Sequence, residues 1–173
     1  MIRTRTLTNI ALGAALMAVT APFTIPLGPV PLTLQTLMVP LVAGLMDRQS
    51  GLWAVMLYVL MGAIGLPVFA GFTGGMAHLV GPTGGYLVGL LLFPALLGGS
   101  VRRSRNGWWI GLINIVAGLL QLVVGAVWLH VVTGSAIAIG IVPFLVPLLI
   151  KAAVATLGTV AVAPVLRRTG ILM

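Results

Sequence analysis

The sequence contains no cysteine and only one acidic residue, Asp47, in 173 residues. Without cysteine the chain can form no disulfide, use no thiol nucleophile and bind no metal through thiolates. A single carboxylate excludes the paired acids of general acid–base catalysis, and neither His78 nor His130 has a second histidine or an acid nearby to form a metal site. A Gly-x-x-x-x-Gly-Lys-Ser/Thr phosphate loop is also absent, so the chain does not hydrolyse ATP by that route. We therefore expect no enzyme, no catalytic residue, no metal and no cofactor.

Charge of either sign is scarce, whereas apolar residues dominate. Charged residues make up 6% of the chain and hydrophobic residues 60%, and the mean hydropathy is +1.23. Water could not solvate such a surface, so the solvent is a lipid bilayer. The net charge of +8 could suggest nucleic acid, but the arginines stand singly or in small groups beside apolar runs. That placement is typical of orientation in a membrane, and we expect no nucleic-acid partner.

Six apolar segments approach the length of about twenty residues that a membrane-spanning helix needs. The predicted spans are residues 7–21, 32–46, 51–66, 84–100, 108–132 and 143–165. The predicted fold class is an all-α integral membrane protein, with six transmembrane helices in one bundle that forms a single domain over residues 1–173.

The basic residues predict the orientation of this bundle. Eight of the nine are arginines at the termini or in short connections: Arg3, Arg5, Arg48, Arg102, Arg103, Arg105, Arg167 and Arg168. With six spans all eight fall on one side, and the opposite connections (residues 22–31, 67–83 and 133–142) carry no Lys or Arg. Because positive charge marks the cytoplasmic side, we predict that both termini are cytoplasmic.

Lys151 is the one basic residue inside an apolar segment, between Leu149-Ile150 and Ala152-Ala153-Val154. A charge in hydrocarbon costs several kcal/mol or more, so it normally faces a cavity, a partner or a substrate. If the sixth span starts at Pro143, Lys151 lies about 12 Å below its outer end. We interpret it as the anchor for an anionic group of a ligand; the alternative is snorkelling to the interface.

Other candidate ligand contacts lie at the same outer side. The connection from Pro67 to Tyr86 is long, rich in glycine and too apolar for a solvated linker, so we expect a packed loop over a pocket. It contributes Phe69, Thr73, His78 and Tyr86 as candidate binding residues. Gln35, in the second span, is either a ligand contact or an interhelical hydrogen-bonding residue, and Asn114 and Gln121 are expected to bond between helices.

Three stretches resemble the BioY family, the biotin-capturing membrane subunits of energy-coupling-factor transporters. They are Pro26-Leu-Gly-Pro-Val-Pro-Leu-Thr-Leu-Gln-Thr36, Gly65-Leu-Pro-Val-Phe-Ala-Gly71 and Gly81-Pro-Thr-Gly-Gly-Tyr-Leu87. A Pro143-Phe144 pair followed by Ile150-Lys151-Ala152 extends the resemblance over the whole chain.

The resemblance implies a multi-pass protein of a prokaryotic cytoplasmic membrane that binds biotin from outside. It also implies a transmembrane coupling subunit and two cytoplasmic ATPases as partners. Lys151 would bind the biotin carboxylate, and Gln35 or loop backbone the neutral ureido ring. Two small-residue pairs in the first span, Ala11 with Ala15 and Ala14 with Ala18, would contact the coupling subunit or else pack within the bundle.

One departure from the family pattern keeps alternatives open. The family usually carries Gly-Asp where this chain has Pro147-Leu148, so either backbone carbonyls, His78 or Gln35 accept the ureido N–H groups in place of that acid, or the affinity or the ligand differs. A subunit for another small carboxylated vitamin, an intramembrane enzyme that uses Lys151, and a purely structural membrane partner are the alternatives. Whether the chain works alone as a homo-oligomer also stays open.

Overall fold

The computed structural model describes residues 4–26, 30–100 and 106–168, without the side chains of Arg167 and Arg168. Arg3 and the 102-103-105 arginine cluster lie outside the described residues, as do Leu27, Gly28 and Pro29 of the first outer connection. The parts of the orientation argument and of the family motif that fall on them therefore stay predictions.

Helices make up most of the described chain, as the sequence predicts. The long helices are α1 (Thr4–Thr20), α2 (Gln35–Leu45), α3 (Arg48–Ala63), α7 (Gly107–Thr133) and α8 (Ile137–Arg168). The short ones are α4 (Ala77–Val80), α5 (Gly84–Gly89) and α6 (Leu92–Leu97). Strands β1 (Thr24–Ile25) and β2 (Leu32–Thr33) form a two-stranded antiparallel hairpin, with Thr24 opposite Thr33.

Within the described residues, α7 and α8 are long and apolar enough to cross a membrane. Their outward faces carry large apolar side chains that nothing covers, such as Val131, 74% exposed, and Leu157, 70% exposed. Such continuous apolar faces are unfavourable in water and favourable against lipid tails. The prediction of a membrane protein rich in helix is thus confirmed, whereas the number of six spans stays a prediction.

Helix α3 begins three residues earlier than the predicted span because Asp47 caps it. The Asp47 carboxylate accepts hydrogen bonds from the backbone N–H groups of Gln49 and Ser50, at 3.0 Å each. This satisfies two of the N–H groups that a helix start leaves unpaired. The single acid of the chain is thus an N-cap residue.

The fourth predicted span is divided into two short helices, α5 and α6. Pro94 lacks the N–H group that would bond to the carbonyl of Leu90, and the chain between the helices makes tighter bonds, from Leu90 to Leu87 and from Leu91 to Val88.

The second and sixth predicted spans differ from the structure at their outer ends. Leu32 and Thr33 belong to the hairpin, so α2 begins at Gln35. Conversely, α8 begins at Ile137 and includes Pro143 and Pro147, which the sequence places at or near a helix start. Lys151 is therefore about 21 Å from the start of its helix at 1.5 Å per residue, deeper than the sequence suggested.

The two predicted alanine pairs of α1 differ in their exposure. Ala14 is 1% exposed and packs in the apolar core, and Ala18 is partly buried against the same core. The bundle covers Ala14 fully and Ala18 partly, which agrees with the alternative of packing within the bundle, and a contact of these two residues with a partner stays a prediction. Ala11 and Ala15 are exposed, so a partner contact there stays a prediction.

Candidate functional site

A cavity of about 220 Å³ lies between the helices, residues 30–34 of the first connection and the connection 64–83. Its walls come from these connections, which include β2 and α4, and from α2, α5, α6, α7 and α8. All six residues predicted as ligand contacts line it: Gln35, Phe69, Thr73, His78, Tyr86 and Lys151. Whether they contact a ligand stays a prediction, but the chain brings them together from five different segments.

Lys151 enters the cavity from α8 and is held by polar groups of β2 and of the first turn of α2. Its ammonium donates a short hydrogen bond to the backbone carbonyl of Thr33 and a second, 2.8 Å long, to Thr36 Oγ1. The side chain is half-buried and points to these two residues.

The charge of Lys151 has no carboxylate beside it among the described cavity residues. The one acid of the chain, Asp47, caps α3 and does not line the cavity. An ammonium has three N–H donors, and the two bonds to threonines leave one for a ligand. A partly desolvated cation without a counter-charge favours binding of an anion or a strong acceptor.

Gln35 is buried and belongs to a short hydrogen-bond chain. Its Nε2 donates to the hydroxyl of Tyr58 at 2.8 Å, and that hydroxyl donates to the carbonyl of Val68 at 3.0 Å. These hydrogen bonds join α2, α3 and the start of the connection from Pro67 to Tyr86. Tyr58 was not predicted, because a tyrosine within an apolar helix carries no signal that distinguishes it from an interface aromatic.

Tyr86 lies in a slot formed by glycines on two helices. Its hydroxyl donates to the carbonyl of Gly140 at 2.8 Å, and a Cβ atom on Gly125 would lie 2.2 Å from its ring. A larger residue at either glycine would displace the ring. Tyr86 and Phe144, with ring centroids 6.4 Å apart, form part of the cavity wall.

The long outer connection is packed, as its apolar composition predicts. Phe69 is 2% exposed, and its ring meets Tyr58 and His78 edge to face at 5.9 and 5.7 Å. A bend between Phe69 and Thr73 is closed by the hydrogen bond from Phe69 N–H to Thr73 O, 2.9 Å long. Phe69 is thus a rigid part of the wall.

Two cavity residues were assigned a smaller role from the sequence. Asn114 and Gln121 bond between helices as expected, Asn114 to the carbonyl of Ala152 at 3.3 Å and Gln121 to that of Tyr86 at 3.1 Å. Both also line the cavity, together with Gly118. The spacing 114, 118, 121 places all three on one helix face, and this periodicity is the signal that could have identified them.

The remaining polar residues near the outer ends stay outside the cavity. Trp128 donates its indole N–H to the carbonyl of Gly81 at 2.9 Å, and His130 is exposed and pairs with the carbonyl of Ser135. Neither is among the lining residues.

The cavity therefore combines apolar walls with a few fixed polar groups, an arrangement typical of small-molecule sites. Its polar side chains are one lysine, three carboxamides, the His78 imidazole and several hydroxyls. A complementary ligand is small and largely apolar, with an anionic or acceptor group and neutral N–H donors.

Comparisons with known proteins point to a single family. A sequence model of the BioY family matches residues 1–168. The biotin transporter BioY2 of Lactococcus lactis subsp. cremoris is 42% identical over 168 residues, which cover 94% of this chain and 92% of the relative. The biotin transporter BioY of Thermotoga maritima is 44% identical over 158 residues, covering 88% and 92%.

A solved structure has the same fold. The crystal structure of the S-component for biotin from an ECF-type ABC transporter superposes with a TM-score of 0.85 at 27% identity, and the match covers 95% of each chain.

Proposed function

The chain belongs to the BioY family, and on that premise we propose that it is a biotin-binding S component that captures biotin in the cavity around Lys151. Relatives in the family are named biotin transporters, and the solved structure of the same fold is an S-component for biotin. The chain is a transport component and not an enzyme, so the alternative of an intramembrane enzyme is set aside.

The observation that carries the ligand assignment is Lys151, a cation with a free N–H donor in a cavity without a carboxylate among the described lining residues. Biotin has one carboxylate, one neutral cyclic urea and an apolar body made of a thioether ring and a pentanoate chain. We assign the carboxylate to Lys151, because an ion pair inside a low-dielectric site is stronger than one in water.

The apolar body of biotin suits the walls. Phe69, Leu122 and Phe144 line the cavity and can cover the ring and chain. Burial of apolar ligand surface is worth roughly 25 cal/mol per Å², so these walls supply binding free energy while the polar groups fix the orientation.

The assembly in the membrane follows from the family and the charge pattern. We propose six spans with both termini in the cytoplasm of a prokaryote, so that the cavity opens to the outside. Because the chain has no phosphate loop, energy must come from partners, namely a transmembrane coupling subunit and two cytoplasmic ATPases. The exposed face of α1 at Ala11 and Ala15 is proposed as the contact with the coupling subunit.

Two ligands and one substitution test the assignment to Lys151. Equilibrium binding of biotin and of biotinol, in which a hydroxyl replaces the carboxylate, is measured on the purified chain and on Lys151→Met. We expect biotin to bind the native chain and to lose about a hundredfold in affinity in Lys151→Met, as expected when one partner of a buried charge pair is removed. Biotinol should bind the native chain more weakly than biotin does, and its affinity should change little in Lys151→Met.

Arg48→Met, at an exposed position outside the cavity, is the matched control and should leave both affinities unchanged. Equal losses for the two ligands in Lys151→Met would show that the lysine contacts the urea and not the carboxylate. No biotin binding by the native chain would refute the proposed function, and other carboxylated vitamins would then be screened.

A further inference from the structure

Three carboxamide side chains, Gln35, Asn114 and Gln121, line the cavity and are almost completely buried. Their exposed fractions are 8%, 3% and 3%. We call them the carboxamide set. A carboxamide offers two N–H donors and one carbonyl oxygen, so its orientation decides what it presents to a ligand.

Each member is oriented by a protein group that can only accept a hydrogen bond from it. Asn114 Nδ2 faces the carbonyl of Ala152 at 3.3 Å, and Gln121 Nε2 faces the carbonyl of Tyr86 at 3.1 Å. The Tyr58 hydroxyl donates its single proton to the Val68 carbonyl, so it can only accept from Gln35 Nε2. In all three cases the NH₂ group is turned to the protein and the oxygen is turned away from that partner.

The three oxygens have no hydrogen-bond donor in the described part of the chain. They are nevertheless not sealed in the interior, because Ser100 Oγ is the sole unpaired side-chain atom that is fully buried among the described residues. Because their residues line the cavity, the cavity is where these oxygens can meet a ligand. A buried acceptor without a donor is unfavourable, so these oxygens favour a ligand that brings N–H groups.

We propose that the oxygens of the carboxamide set accept the N–H donors of the ligand's cyclic urea, so that the site recognises the urea without a carboxylate. The inference rests on the proposed function and extends it by naming Asn114 and Gln121 as specificity residues beside Gln35. Neutral acceptors have a physical advantage here. An acid in the cavity would pair with Lys151 and compete with the ligand for its remaining N–H donor.

Methylation of the ligand tests the inference without any change to the protein. Binding is measured for biotin and for its two mono-N-methyl derivatives, each of which lacks one urea N–H. At least one derivative should bind the native chain about tenfold or more weakly, because it leaves a buried oxygen unpaired. Equal affinity for biotin and both derivatives would overturn the inference even if every variant failed to fold.

Substitutions then identify which oxygen is used. Gln35→Met, Asn114→Leu and Gln121→Met replace each carboxamide by an apolar side chain of similar size. If the replaced carboxamide accepts the urea N–H, the affinity of the variant for biotin should fall about tenfold. The ratio of the N-methylbiotin to the biotin dissociation constant should then fall towards one. A merely structural carboxamide would lower both affinities by the same factor, and an unchanged ratio in all three variants overturns the inference.

Thr156→Val is the matched control. Thr156 bonds to Asn114 at 3.3 Å but is not a lining residue, so the substitution alters the same interhelical network without touching the cavity. The ratio of N-methylbiotin to biotin dissociation constants in Thr156→Val should equal that of the native chain. The native chain is measured first, so absence of any biotin binding refutes the proposed function, whereas biotin binding with constant ratios refutes the carboxamide assignment alone.

Discussion

At the scale of single residues, the cavity wall depends on positions where the chain has no side chain. A Cβ atom on Gly62 would lie 2.1 Å from Phe69 Cζ, which means that the phenyl ring rests directly on the backbone of α3. The same ring contacts Tyr58 and His78 edge to face. Gly62 therefore determines how far the outer connection descends onto the bundle.

Gly62→Ala should lower both stability and biotin affinity. The added methyl must displace a ring that is 2% exposed, and overpacking of this kind typically costs about 1–3 kcal/mol. Thermal unfolding in detergent and equilibrium biotin binding measure the two effects. Gly111→Ala is the matched control, because its new methyl would meet Thr156 at an ordinary 3.7 Å. Identical behaviour of the two variants would contradict the structural role of Gly62.

Lys151 could be identified from the sequence, but its surroundings could not. A lone cation in an apolar helix is visible in the sequence because its desolvation is unfavourable unless it has a function. Its partners Thr33 and Thr36 are more than a hundred residues away, and only the packing of α2 against α8 brings them together. Pairs set by tertiary packing leave no local pattern.

At the scale of elements, the two outer connections hold each other over the cavity. Phe23 and Phe72 meet edge to face with ring centroids 5.6 Å apart, and the Gly71 N–H donates to the Pro22 carbonyl at 2.9 Å. Phe72 adopts a left-handed backbone conformation, with φ of +59°, which a phenylalanine accepts only where its surroundings enforce it. Residues from both connections line the cavity, so we expect this contact to restrain them as a lid over a bound ligand.

Phe23→Ala should speed the release of biotin. Loss of an aromatic pair is worth about 0.5–1.5 kcal/mol beyond buried area, which predicts roughly a twofold to tenfold increase in koff. Stopped-flow displacement of labelled biotin measures it, with Ile25→Ala, an exposed residue of β1, as control. An unchanged koff in Phe23→Ala would mean that the two rings touch without restraining the lid.

Element boundaries show where local sequence signals suffice. Pro94 lies inside the fourth predicted span and favours a helix break, but the span was predicted as continuous because the whole segment is apolar. Pro143 gave the opposite error, because the predicted sixth span starts there whereas α8 begins at Ile137 and continues through it. A proline inside a helix leaves a backbone carbonyl without its N–H partner, and the packing of neighbouring helices determines whether the helix can continue there. That packing cannot be read from a single sequence. The hairpin of β1 and β2 is too short to show an alternating pattern.

At the scale of the whole molecule, the absence of cysteine allows the orientation to be tested directly. Gln49→Cys lies beside the Asp47 cap and Val80→Cys at the end of α4, and both positions are exposed. Because Arg48 predicts that its connection is cytoplasmic, a membrane-impermeant maleimide should label Val80→Cys in intact cells and Gln49→Cys only after lysis. The reverse pattern would invert the proposed topology and place the lid in the cytoplasm.

The exposed face of α1 gives the last prediction at this scale. Ala11 and Ala15 stand in a surface whose neighbours, such as Leu12 and Leu16, are also exposed, and small residues there let another helix approach closely. Ala15→Trp should greatly reduce co-purification with the proposed coupling subunit while the isolated chain still binds biotin, because α1 contributes no described residue to the cavity lining. Leu157→Trp, on the exposed face of α8, controls for a bulky residue facing lipid. Undiminished co-purification of Ala15→Trp would move the contact to another face and leave the packing of Ala14 and Ala18 as the reason for the alanines in α1.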